Sequence, residues 1–338
     1  MKRLILAVLA SLLVAAIGTI AAGTLDIYFI DVDGGQSTLV VTPAGQSMLI
    51  DAGWSGNGNR DPDRIAAVAK AAGVTRLDYL LITHFHEDHM GGAAEVVKRL
   101  PVRTFVDYGS PVEKDEFALK SFTAYASVRT AGAQVHPKPG DRLPLNGVTI
   151  EVASAGGSLI TTPLSGGGQP NTACKPAGDA KKGQASENQQ SIGIRLTFGR
   201  FSFLDLGDLY GRSLNALVCP VNLLGRVDAF LVSHHGNDDS SSPAVPAAIR
   251  PRVAILNNGP RKGGDPEAFD TLRQAPGIEG VWQLHRTRNE GAQNFPDSFI
   301  ANVDDGDKDA GHWIRLSASE DGSFTVTNGR TQSTVRYK

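Results

Sequence analysis

The segment Thr83-His84-Phe85-His86-Glu87-Asp88-His89-Met90-Gly91-Gly92 brings three histidines and one aspartate into a six-residue window, His84 to His89. Imidazole nitrogen and carboxylate oxygen are the donors that Zn accepts, and that Mn or Fe accept less selectively. His84 and His86 are two residues apart in an extended run, so both side chains point the same way and can reach one ion. Asp88 and His89 lie past a turn, near the start of the next helix, where they can reach a second. Two neighbouring ions would lower the pKa of a shared water and polarise a scissile oxygen, so the expected chemistry is hydrolysis by metal-bound hydroxide. Asp88, at the water's edge, could both ligate and accept a proton, and is the candidate catalytic residue. No Gly-x-Ser-x-Gly element is present, and neither Cys174 nor Cys219 has a histidine beside it in sequence, so a Ser or Cys nucleophile has no support.

The elements around this cluster must hold it at strand ends. A short apolar run over 79–82 has the length of a buried strand, and the histidines begin at its C-terminal end. A helix over about 93–100, stopped by Pro101, and a strand over 103–106 follow. Upstream, alternation predicts strands over 25–31, 37–41 and 47–50, then a helix N-capped by Asp61, with Pro62 at its first position and Gly73 at its end. Downstream, 192–198 and 201–206 read as a hairpin about Gly199-Arg200. Strands over 227–232 and 253–256, with helices over 243–249 and 265–274, repeat the pattern. The chain is an α/β protein in two halves around one core.

The pattern His-x-His-x-Asp-His-x-Gly-Gly after a buried strand resembles the metal motif of the metallo-β-lactamase superfamily. Phe29-Ile30-Asp31-Val32 with Gly34-Gly35, Leu49-Ile50-Asp51-Ala52-Gly53, Glu187-Asn188-Gln189-Gln190-Ser191, Leu206-Gly207-Asp208 and Ser233-His234-His235-Gly236 are similar to elements of the ComEC-type competence-protein hydrolase domain and its free-standing exported relatives. The resemblance runs from about residue 25 to 275. It implies a four-layer αβ/βα sandwich, two mixed β-sheets flanked by helices. It also implies two divalent metal ions: one on His84, His86 and Asp208, the other on Asp88, His89, Asp208 and one of His234 and His235, with His235 preferred. The other histidine of that pair would contact substrate or support a ligand.

Three departures stand out. Many members supply a third histidine to the first site from mid-chain, whereas here only His136 lies there and reads as a surface residue. The first site would then be two histidines, Asp208 and water, or would use Asn188. The relatives' Gly-Gln-Gly-Asp near the start is replaced by Asp33-Gly34-Gly35-Gln36-Ser37, which removes a carboxylate. Gly264-Asp265-Pro266 stands where relatives carry Gly-His-Pro, and a helix N-cap accounts for Asp265. His285 could line the site or be held structurally.

Composition bounds the partners. The chain has 338 residues with 33 basic and 35 acidic, a formal charge of −2, and so no global nucleic-acid footprint. The expected partner is a small-molecule or phosphodiester substrate, with a β-lactam or lactone as the alternative. A non-catalytic metal-dependent binding domain is the alternative of another class. Lys181, Lys182, Arg261 and Lys262 could form an anion-binding rim or be solvated surface charge. Lys2 and Arg3, then an apolar run over 4–17, then small residues to Gly23 read as a signal peptide over 1–23. The run is shorter than the ~20 residues of a spanning helix. The expectation is a single hydrolase domain over 24–338, periplasmic or extracellular, with no membrane contact after cleavage. An irregular insertion occupies about 156–186. Cys174 and Cys219 form one disulfide or remain two inert thiols.

Overall fold

The computed structural model describes residues 23–174, 186–304 and 310–338. The signal segment expected over 1–23 therefore falls outside the described residues but for Gly23, and so do Lys181 and Lys182.

Alternating strands separate the apolar side chains into three layers. In Leu25–Phe29, Leu25, Ile27 and Phe29 face a core between two sheets, while Tyr28 and the following Ile30 face a layer of helices. The same division puts Leu81 in the central core and Leu80 and Ile82 beneath the helices. In the second sheet, Phe203 and Leu231 point to the central core and Leu204 and Phe230 to the opposite helix layer. Strands apolar on both faces must be covered on both faces. A slip of one residue would exchange the two sets, so the register is strongly specified.

Each sheet has nine strands and is mixed. The first is antiparallel from Thr334–Tyr337 through Leu25–Phe29 to Ser47–Ile50, then parallel through Leu77–Leu81 and Val102–Val106 to Ala133–Val135. The second is antiparallel through Thr149–Ala155, Gly193–Phe198 and Phe201–Asp205, then parallel through Ala229–Leu231, Val253–Leu256 and Gly280–His285 to Ile300–Asn302. Helices Arg60–Ala71, Ala93–Arg99 and Glu116–Arg129 contribute Ile65, Val68, Val96 and Tyr125 to the layer over the first sheet. Helices Gly211–Ala216, Ala244–Ile249 and Pro266–Arg273 cover the second through Leu214, Ile249, Phe269 and Leu272. The result is a four-layer αβ/βα sandwich, as the resemblance implied.

Local details differ from the sequence reading. Asp61 is not an N-cap: the helix begins at Arg60 after Asn59, and the Asp61 carboxylate accepts from the Trp54 amide (2.9 Å) and Arg60 Nε (2.6 Å). Asp265 occupies the cap position without capping its helix. Its carboxylate instead receives the Asp238 amide (3.1 Å) and Asn289 Nδ2 (2.9 Å). The described part of the 156–186 segment is partly ordered into pairs: Ser158–Leu159 joins Thr149–Ala155, and Gln169–Pro170 joins Val221–Asn222. Cys174 and Cys219 form a disulfide, which decides between the two readings of the cysteines.

Candidate metal centre

The motif residues gather at the C-terminal ends of strands from both sheets, where open α/β sheets place their ligand sites. Leu77–Leu81 leads to His84, Phe201–Asp205 to Asp208 and Ala229–Leu231 to His235. The sheets are tied at this edge where the Ile192 amide donates to the Thr83 carbonyl (2.9 Å), and within the second sheet the Asp208 amide donates to Ser191 Oγ (3.2 Å). Gly207 makes the turn before Asp208 with φ +54°, and a Cβ there would lie 3.1 Å from Thr83 Cβ. Gly35 lets the opening loop lie against the motif: a Cβ on it would stand 2.4 Å from the Asp88 carbonyl, which accepts the Gln36 amide.

Asp88, His89, Asp208 and His235 each turn one donor atom toward a common point, all within 4.8 Å of one another. His89 Nε2 lies 3.3 Å from Asp88 Oδ2, 3.2 Å from Asp208 Oδ2 and 3.2 Å from His235 Nε2. His235 Nε2 is 3.2 Å from Asp88 Oδ2 and 3.3 Å from Asp208 Oδ2. All four residues are buried. Asp208 Oδ1 is buried with no hydrogen-bond partner among the described residues, as a carboxylate shared between ions would leave it. The donor set suits a divalent cation.

His84 and His86 stand beside this group, with His84 Nε2 3.0 Å from His86 Nδ1 and 3.8 Å from Asp208 Oδ2. His136 is remote from them: half-exposed, it pairs with the Asp107 carboxylate (2.9 Å). His285 is buried with Nε2 on Asp31 Oδ1 (2.6 Å), a structural pair. His234 flanks the cluster. Its Nε2 is 3.8 Å from Asp208 Oδ2 and 3.1 Å from Asn188 Nδ2, its Nδ1 is held by Asp239 (2.8 Å), and its ring stacks on Tyr210. His234 and His235 both have positive φ, 51° and 54°, a strained pair of the kind that functional sites retain.

The electrostatics call for positive charge. Burial alone would lower the pKa of His89, but Asp208, Asp88 and Asp51 hold it well above its usual value. Burial would raise Asp208, yet His235 and His89 hold it well below the carboxylate range. Asp88 is likewise raised by burial and overcome by His89, Lys262 and His235. Burial and the neighbouring His89 push His84 well down, leaving it in the neutral form that ligates metal.

Several participants carried no role in the sequence reading. Asp51 accepts from Thr83 N and Thr83 Oγ1 (both 2.7 Å) and pairs with His89 Nδ1 (2.7 Å), orienting Nε2 into the cluster. Glu113 stands 3.4 Å from His86 Nε2, on the opposite side of that ring from His84. Lys262 is more than solvated rim charge: its ammonium contacts Asp88 Oδ2 and lies over the Trp54 ring. Asp51 was visible only as part of a motif. Glu113 and Trp54 had no local signal, because only the fold brings them to the site.

Residues 30–169 match the family described as the Metallo-beta-lactamase superfamily. The chain is 25% identical over 231 residues to Recombination protein 2 of Haemophilus influenzae, covering 68% of this chain and 24% of that protein. It is 25% identical over 250 residues to ComE operon protein 3 of Bacillus subtilis, covering 69% and 28% respectively. A metal-dependent hydrolase of Cupriavidus necator is 24% identical over 263 residues, 73% of this chain and 80% of that protein. The chain thus spans about a quarter of the length of the two competence-related relatives. It carries a metallo-β-lactamase superfamily domain, and its relatives include metal-dependent hydrolases.

Proposed function

We propose that the protein is an exported metal-dependent hydrolase acting on a phosphodiester-type substrate at a two-metal site. The observation that carries this reading is the convergence of Asp88, His89, Asp208 and His235 on one point, with His84 and His86 alongside. Asp88, His89, Asp208 and His235 would hold one ion, and His84, His86 and Asp208 the other. Divalent metals held there would acidify water and draw charge from a scissile oxygen.

The chain's own residues set the rest. Lys262 places a cation at the edge of the cluster, where it favours an anionic substrate. His234 stands beside the cluster with a raised pKa: burial lowers it, but Asp239 and Asp208 raise it beyond that. It can therefore hydrogen-bond a phosphoryl oxygen or protonate a leaving group. Asp88, more exposed than Asp208 (side chains 9% against 3%), would both ligate and accept a proton from water. The Cys174–Cys219 disulfide supports an oxidising, extracytoplasmic setting. No helix among the described residues is long and apolar enough to cross a membrane.

The test is metal quantification on the purified protein together with turnover of bis(p-nitrophenyl) phosphate, a chromogenic β-lactam and a lactone. The expected result is phosphodiester turnover that chelation abolishes and that Asp208→Asn reduces by roughly a hundredfold or more. Turnover confined to the lactam or lactone would replace the substrate class. Fewer than one ion per chain with no turnover would leave a non-catalytic binding domain.

A further inference from the structure

A second cluster of charge lies at the other end of the same strands. The parallel strands of the second sheet run toward the metal cluster, and their starts surround a cavity of about 460 Å³. Five arginines line it, Arg195, Arg200, Arg226, Arg250 and Arg252, against one carboxylate, Asp228. With strands rising ~3.3 Å per residue, the cavity stands on the order of 15 Å from the metal ligands and is a separate site.

Arg195 is the informative member. In Gly193–Phe198, Ile194, Leu196 and Phe198 face the central core, so Arg195 points to the opposite face. Its cross-strand neighbours are Glu151 and Leu204, and Leu204 belongs to the apolar layer beneath the helices. Arg195 is 7% exposed, and burial lowers the pKa of its guanidinium against the pull of Glu151 and Asp228. Its Nε and Nη1 have no hydrogen-bond partner among the described residues. Nη1 lies 3.9 Å from Glu151 Oε2, and Nη2 reaches only the Arg226 carbonyl at 3.4 Å. A buried cation so poorly compensated disfavours the fold unless an anion completes it.

The remaining arginines have unequal ties. Arg252 is paired with Glu279 (2.7 Å), and Arg200 donates Nε to the Asp321 carbonyl (2.9 Å). Arg226 and Arg250 are exposed at the mouth, and both also line an adjoining polar cavity of about 360 Å³ with Asn171 and Asn222. Guanidinium forks match phosphoryl oxygens in geometry as well as charge, and the volume is that of a small-molecule site. The lining sets five arginines against Asp228, and with Glu151 beside Arg195 and Glu279 on Arg252 an excess of positive charge remains for a small, multiply charged anion.

We infer that this cavity binds an oligophosphate, a ligand carrying at least two linked phosphoryl groups, either free or as part of a nucleotide. The inference does not depend on the substrate proposed for the metal centre. The test is calorimetric titration of the full chain at low salt with pyrophosphate, orthophosphate, ATP and adenosine. Pyrophosphate and ATP should bind at least tenfold more tightly than orthophosphate, and adenosine should not bind. A gain of ATP over pyrophosphate would assign the adjoining cavity to the nucleoside, and equal affinity would assign the free oligophosphate. Arg226→Glu with Arg250→Glu, both on the surface, should weaken binding at least tenfold while the circular dichroism spectrum stays unchanged. Asp208→Asn should leave it intact. Binding that survives the double charge reversal, or that is lost in Asp208→Asn, would overturn the inference.

Discussion

Asp51 shows how much of the centre rests on residues that do not enter the cluster. It sits at φ +60°, a region non-glycine residues seldom occupy, and uses both carboxylate oxygens to fix Thr83 and His89. A metal-binding imidazole held from its other nitrogen keeps its tautomer and orientation. Asp51→Asn should therefore weaken metal affinity by roughly 10–100-fold, as measured by competition with a chromogenic chelator. The circular dichroism spectrum should be unchanged, and unaltered affinity would remove Asp51 from this role. Gln36 makes a related point. The opening loop has Gln36 where the resemblance implied a carboxylate, and Gln36 Nε2 donates to a carboxylate from the other sheet, Asp205 (2.8 Å). Sequence alone shows the loss at the loop, whereas the partner lies 169 residues away.

Strand ends are where the elements turn into chemistry, and Asp205 closes the strand that leads to Asp208. Burial raises its pKa to about 7, against hydrogen bonds from the Gly207 amide and Gln36 that lower it. The folded state therefore holds a proton that the unfolded chain releases near its ordinary value of 3.8. The stabilisation from that proton is full below the unfolded value and is lost as pH rises toward about 7. The shift corresponds to roughly 4 kcal/mol at most. Urea unfolding of the metal-free protein at pH 5 and pH 8 should show a larger loss on raising pH for wild type than for Asp205→Asn. Equal losses would mean Asp205 is already ionised at pH 5.

Across the whole molecule, the disulfide fastens the described part of the 156–186 segment to the second half of the chain, closing 45 residues. Constraining a loop of that length stabilises by about 2–4 kcal/mol. Cys174→Ser with Cys219→Ser should lower stability by that amount in urea unfolding and leave metal content unchanged, because neither residue contacts the cluster. Metal lost together with the disulfide would show that this segment supports the centre. The same scale explains how the candidate metal ligands are divided along the chain. His84, His86, Asp88 and His89 come from one loop of the first sheet, and Asp208 and His235 from two loops of the second. The site exists only while the central core keeps both sheet edges together.

The sequence by itself determined the residue types of the candidate metal centre, the α/β class and most strands, because ligand chemistry and two-residue alternation are local properties. Asp61 lies inside its helix and Asp265 stands at the cap position of its own, but neither side chain caps, because each carboxylate takes a donor from outside the helix, Trp54 for one and Asp238 and Asn289 for the other. Only the tertiary structure drew His235 into the cluster and left His234 at its edge, since adjacent residues with similar backbone angles are distinguished by what faces them. It alone brought Lys262 to Asp88 and Asp51 to His89, and gathered five arginines at the far end of the sheet. These pairings span tens to hundreds of residues, and no spacing along the chain encodes a contact that exists only because two sheets pack face to face.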